Sequence, residues 1–327
     1  MISKFLSTKF KILSVVAMMA VLYMHSFFIE SSQWEWVGFI QTAVNHLTRF
    51  AVPTFFIISG YLFFNNVTDP ADIYPRIKKR TRTLLIPYLF WCTVFIVIVA
   101  LGSLMIKSNT EYFLLLSERD YLGFIKYIFW APAAFHLWYV KDLYLIVLTS
   151  PILYVVLKKY PFTILALLFI LNVAGVFMPF TQGLFYFSIG ATYALKSCEP
   201  FENLNPYMAL GSLVLSQFLI DNTPPIHSIG VFLLTISIWR LYDKVEPYLH
   251  RTIILKLSGY SFFIYCAHIP LLTFIKSIIH PRLIDSALGC MLAFVVSPIA
   301  CIIILWYIIK LWKGIFPKFY SMITGGR

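Results

Sequence analysis

Few ionisable side chains interrupt the apolar stretches of this 327-residue chain, and those few define the chemistry open to it. His25 lies in AMMAVLYMHSFF, and Arg49 follows His46 in NHLTRFAVPTFFIISGYLFF. His136, Lys141 and Asp142 share FHLWYVKDLYL. An imidazole titrating at about pH 6.5 is the natural base for drawing a proton from a hydroxyl. A guanidinium or ammonium beside it orients an oxygen-rich substrate. His268, in GYSFFIYCAHIPLL, also sits in an apolar run, while His227, His250 and His280 fall in connections and take no role. A second feature is the basic run YPRIKKRTRTLLIPYLFW, with Arg76, Lys78, Lys79, Arg80 and Arg82. Guanidinium forks of this kind grip phosphates.

Each of these groups has a plainer alternative. A lone histidine in a span often bridges helices by a hydrogen bond. Arg49 can snorkel to the interface, and the basic run can be an ordinary inner-side anchor. Lys141 and Asp142 are adjacent, so they point to different helix faces and only one need enter a bundle. His268, close to Pro270, reads as a packing or kink residue. The five cysteines form no CxxC pair and behave as small hydrophobes. No Walker loop, GxGxxG, HExxH or GxSxG occurs, so ATP hydrolysis, nicotinamide, zinc-hydrolase and serine-hydrolase chemistry have no support.

The elements that must position these residues follow from composition. The chain is 60% hydrophobic and only 12% charged, with a mean hydropathy of +0.82. A soluble domain is about 25% charged, so this sequence cannot clothe a soluble surface. An all-α, polytopic membrane helix bundle is expected, filling residues 1–327 as one domain. Apolar runs at 10–29, 44–64, 84–106, 136–157, 161–179, 182–196, 207–220, 226–242, 257–279 and 287–311 predict ten transmembrane helices, since about 20 residues cross a bilayer. Cytoplasmic termini then place 19 of the 26 Lys and Arg on the inner side, as the positive-inside rule demands. The first run is too long for a signal peptide and is read as retained. The 107–135 stretch becomes an outer, partly interfacial connection. The net charge of +12 belongs to loops beside an anionic leaflet, so no nucleic-acid partner is expected. On this topology His25, His46, Arg49, His136, Lys141 and Asp142 converge near the extracytoplasmic end as a polar pocket for a hydroxylated acceptor.

These segments resemble the integral-membrane acyltransferase 3 family, which includes O-acetyltransferases of surface glycans. The likeness rests on VLYMHS with His25 and on RFAVPTFFIISGYLF with Arg49, Pro53, Phe55, Phe56, Ser59 and Gly60. It continues through the basic run into IPYLFW, then HLWYVKDLYLIVLTSPIL and LSGYSFFIYCAHIPLL. The resemblance implies a bacterial inner-membrane O-acyltransferase that holds no cofactor and uses acyl-CoA, above all acetyl-CoA, as cosubstrate. His25 would serve as general base or acyl relay. Arg49, Ser59, His136, Lys141 and Asp142 would contact a glycan or lipid-linked sugar acceptor. Arg76, Arg80 and Arg82 would bind the donor. Many members carry an arginine eleven positions before the histidine; here that position is Ser14, and Lys11 is the nearest cation to take its place. Only a short tail follows the tenth run, so the fused outer domain of some members is not expected. A second class stays open, a transporter or exporter of acylated polysaccharide or a small polar metabolite. Such a protein would show inverted repeats and paired broken helices, and no internal repeat is visible.

Overall fold

The computed structural model describes residues 2–28, 33–106, 122–123, 134–220, 223–248, 251–283 and 285–326, and among these it is helical without strands. The expected 107–135 outer connection lies almost wholly outside the described residues. Helix α1 (Lys4–Met24) starts on Ser3, whose hydroxyl accepts from the Leu6 amide at 3.0 Å. Helices α2 (Glu35–Thr48) and α3 (Ala51–Phe64) meet through Arg49 and Phe50. Helix α4 (Ile73–Arg80) carries the basic run into a π-helical turn, Thr81–Leu85, that opens α5 (Ile86–Ile106). A 3-10 turn, Phe135–Leu137, leads into α6 (Trp138–Leu148), which bends by 67° into α7 (Ser150–Lys159). There follow α8 (Pro161–Val173), α9 (Phe180–Leu195), α10 (Pro206–Leu219) and α11 (Pro224–Val245). The chain ends through α12 (Arg251–Ser258), α13 (Ser261–Leu283), α14 (Ala287–Ile315) and α15 (Pro317–Ile323). Proline opens α8, α10, α11 and α15, where its missing N–H costs no hydrogen bond.

Each of the ten apolar runs contains a helix among the described residues, but the lengths differ from the expectation. Six helical stretches among the described residues, with α2–α3 and α4–α5 each taken as one, are long and apolar enough to span a bilayer, or seven if the bent α6–α7 pair counts as one more. Helices α8, α9 and α10 are shorter. The 16 residues of α9 rise about 24 Å, less than a hydrocarbon core of about 30 Å.

At the centre, α3 lies against α9 with no side chain between the two backbones. A Cβ on Gly60 would sit 2.0 Å from the Phe187 carbonyl oxygen, and one on Gly190 would sit 2.0 Å from that of Ile57. Two helices approach this closely only where both present glycine. Gly183, on the same helix, makes room for the Phe56 ring. Trp239 of α11 donates from its indole to the Thr54 hydroxyl at 3.1 Å, tying a third helix to α3. At one end of α1 the buried Lys9 ammonium meets Asp243 at 2.6 Å, and Arg240 holds the other carboxylate oxygen at 2.9 Å.

A substitution series tests this crossing. Gly60→Ala and Gly190→Ala should each lower the thermal midpoint in detergent, by overpacking worth about 1–3 kcal/mol. Gly211→Ala on α10, which meets open space, should be neutral or slightly stabilising. Equal midpoints for all three variants would show that the α3–α9 contact is not what holds the bundle.

Candidate active site

Helix α1 ends at His25, its C-cap, where the amide still reaches the Val21 carbonyl at 3.2 Å. The exit is fixed by two polar side chains: Ser26 donates to the Leu22 carbonyl at 2.8 Å, and buried Gln41 accepts from the Phe28 amide at 3.2 Å. The imidazole therefore has a defined place. Its ring centroid lies 5.4 Å from that of His268 and 5.8 Å from Phe135. The His136 ring is 5.2 Å from His268, so three histidines from α1, the 3-10 turn and α13 form one cluster.

Two of these rings are oriented by backbone carbonyls. His136 Nε2 lies 3.0 Å from the Cys266 oxygen, and His268 Nδ1 lies 2.6 Å from the Tyr265 oxygen. A carbonyl only accepts, so both nitrogens donate, and in the neutral ring the opposite nitrogen carries a lone pair. Those opposite nitrogens, His136 Nδ1 and His268 Nε2, are buried and have no hydrogen-bond partner among the described residues. The Tyr265 hydroxyl in turn donates to the His136 carbonyl. Arg49, one turn beyond buried His46, and Lys276 are the cations acting on the His25 ring. Lys276 itself donates to the Phe27 carbonyl at 2.7 Å.

Behind Tyr265 opens a cavity of about 390 Å³. Lys11, Ser14 and Arg80 line it together with Ser59, Tyr139 and Tyr265. The Ser59 and Tyr139 hydroxyls are 3.1 Å apart, and the Tyr139 and Tyr265 rings lie 5.8 Å apart, nearly perpendicular. Tyr265 therefore separates the cavity from the imidazoles. From Lys11 to His25 is fourteen residues of α1, about 21 Å at 1.5 Å per residue.

The structure thus gathers His25, His136 and Arg49 on one side and Lys11, Ser59 and Arg80 on the other. Other expectations fare differently. Asp142 is buried, with Lys141 at 3.3 Å, and its remaining electrostatic neighbours include Tyr88 and Tyr265. Arg76 donates to the carbonyls of Phe63, Asn65 and Asn66, closing the end of α3. Arg82 is exposed on the π-helical turn and does not line the cavity. Sequence reasoning set His268 aside and passed over Tyr139 and Tyr265. The signal that was available was a fully apolar frame around His268, with Tyr265 one turn before it.

A long apolar helical bundle with buried imidazoles beside a cation-rimmed cavity defines a membrane protein with a polar site in its interior. The acyltransferase 3 family, described as an acyltransferase domain, matches residues 10–309, and the chain belongs to that family. It is also 25% identical, over 86% of its length, to the succinoglycan biosynthesis protein ExoH of Rhizobium meliloti, 80% of which is covered. No solved structure matches the chain.

The cluster itself makes a prediction for His268. Asparagine keeps a donor near the Nδ1 position for the Tyr265 carbonyl but has no lone pair at Nε2. His268→Asn should preserve the thermal midpoint and cut acyl-transfer turnover at least about tenfold, within the span of acid–base effects. Wild-type turnover in this variant would return His268 to the packing role suggested by its sequence context.

Proposed function

We propose that this acyltransferase moves an acyl group, most simply acetyl, from cytosolic acyl-CoA to a hydroxyl of a cell-envelope polysaccharide or its lipid-linked precursor. His25 takes the proton of the acceptor hydroxyl. The freed oxygen forms the new ester bond to the acyl carbon, the thioester C–S bond breaks, and the proton passes to the departing CoA thiolate. Arg49 orients the acceptor and balances the oxyanion that forms at the carbonyl. His136 and His268 offer lone pairs through which the proton moves.

The observation that carries this reading is the cavity that begins at Lys11 and Arg80 and ends at Tyr139 and Tyr265, with the imidazoles directly behind. Lys11 and Ser14 share its wall, which supports Lys11 in the role that an arginine at position 14 has in relatives. The name of the matched Rhizobium protein favours a polysaccharide acceptor.

We place the protein in the bacterial inner membrane with ten spans and cytoplasmic termini, on the strength of the 19-to-7 charge split. In a cysteine-free background, a single cysteine at exposed Lys158 should label from inside and one at exposed Asp285 from outside. Labelling of both from the same side rejects this topology.

The chemistry is tested at His25. His25→Ala and His25→Gln should both lose about 10²–10⁴-fold in turnover at matched expression, because glutamine keeps a hydrogen bond but cannot act as a base near neutral pH. Mass spectrometry of surface glycans from the same strains should show one acyl increment per repeat missing. Near wild-type acylation by His25→Gln would remove His25 as the base.

A further inference from the structure

The cavity in front of Tyr265 changes character along its length. Lys11 and Arg80 stand at its mouth, whereas Phe55, Ile58, Tyr139 and Tyr265 stand at its closed end. Along α3, Phe55, Ile58, Ser59 and Leu62 follow one another at helical spacing, so they share the face that lines it. Leu62 also borders a neighbouring space together with Arg80, which fixes it at the charged end. The seven residues from Leu62 back to Phe55 carry the wall about 10 Å away from that mouth. Among the described residues no charged side chain lines the far end.

Three rings close that end. The Phe55 centroid lies 5.6 Å from Tyr139 and 6.2 Å from Tyr265, and the two tyrosines lie 5.8 Å apart. Both tyrosines are tethered. Tyr139 shares a hydrogen bond with the Ser59 hydroxyl at 3.1 Å and is backed by the Phe56 ring at 4.7 Å. Tyr265 donates to the His136 carbonyl. Phe55 is half-buried, and its ring is held by packing alone. Protein interiors are close-packed, so rings serving only as filler would not stand before an open space of about 390 Å³.

We propose that Phe55, Tyr139 and Tyr265 select the acyl group by size and charge, admitting short, uncharged chains such as acetyl and propionyl. The thioester must come up against these rings to reach the imidazoles behind them, so the group on its carbonyl lies among them. A longer chain has to displace a tethered tyrosine or the Phe55 ring. In a filled apolar pocket one methylene too many costs about 10–200-fold. A dicarboxylic acyl group would bring a carboxylate to an end that offers it no cation among the described residues, and an unpaired charge is costly there. Of the three rings, Phe55 is the one that substitution can trim without cutting a tether. This inference rests on the acyl-CoA reading given above and adds to it the class of acyl group and the residues that choose it.

The test is steady-state kinetics of the full-length protein in nanodiscs, with surface polysaccharide from a deletion strain as acceptor. Acetyl-, butyryl-, hexanoyl- and succinyl-CoA are compared by kcat/KM. In the wild type, butyryl-CoA should fall at least about tenfold below acetyl-CoA, with hexanoyl- and succinyl-CoA lower still. Phe55→Ala should raise the ratio of hexanoyl to acetyl at least about tenfold and leave succinyl excluded. Phe55→Leu, which keeps an apolar side chain on the same face, should shift the ratio the same way and supplies it if the alanine variant does not fold. A ratio taken within one variant cancels losses of expression and stability, so a packing defect cannot imitate this result. Wild-type kcat/KM that is equal for acetyl and hexanoyl, or highest for succinyl, overturns the inference. So does a ratio that neither Phe55 variant changes, and both outcomes leave the donor reading intact. Failure of the wild type to use any CoA thioester sinks the donor reading itself.

Discussion

Helices α3 and α9 touch through Gly60 and Gly190, each backbone occupying the volume that a methyl group would need on the other. In a bilayer, lipid tails are as apolar as leucine, so burial of greasy side chains does not by itself draw helices together. Close contact between backbones does, through dispersion summed over many atoms. The position of α3 therefore depends on two absent side chains, and much of the site depends on α3. Ser59, next to Gly60, reaches Tyr139 of α6. Phe56, opposite Gly183, packs edge-on against the same tyrosine at 4.7 Å. Thr54 receives Trp239 of α11. Arg49 lies two residues before the helix, with only Phe50 between.

Given that frame, the buried polar groups form a consistent set. Imidazoles in an apolar interior are costly unless their donors find acceptors. His136 and His268 solve this with backbone carbonyls on α13, those of Cys266 and Tyr265. Spending the donors on carbonyls leaves the basic nitrogens exposed to the cluster rather than consumed by the fold. A purely structural histidine gains nothing from that division, since a second partner would stabilise it further. Two buried lone pairs are thereby left without a hydrogen-bond partner among the described residues.

Much of this was legible in the sequence. Each of the ten apolar runs contains a helix among the described residues, and His25, Arg49 and His136, which the expected topology brings near one another, lie close together. Depth along a helix gives height in the bundle, but it says nothing about which face meets which neighbour. That is why His268, seven residues into α13, was read as a kink residue although it faces His25 and His136. The same gap hid Tyr139 and Tyr265 as the wall between cavity and cluster. Arg76 looked like one more member of a basic run, because nothing local reveals that three carbonyls at the end of α3 point at it. Lys9 counted as an inner-side cation, yet Asp243, more than two hundred residues away, draws it fully inside.

The reciprocal tie between the 3-10 turn and α13 has a mechanical consequence. The Tyr265 hydroxyl is bonded to the His136 backbone, and the His136 ring is bonded to the backbone of Cys266, the residue after Tyr265. Each element thus holds the other by one side chain and one carbonyl. A shift of α13 against the turn loads both bonds together. Tyr265 forms the wall of the cavity, whereas His136 and His268 belong to the cluster behind it, so wall and cluster respond to the same movement. Whatever displaces Tyr265 from the cavity side therefore also disturbs the contacts of the two imidazoles.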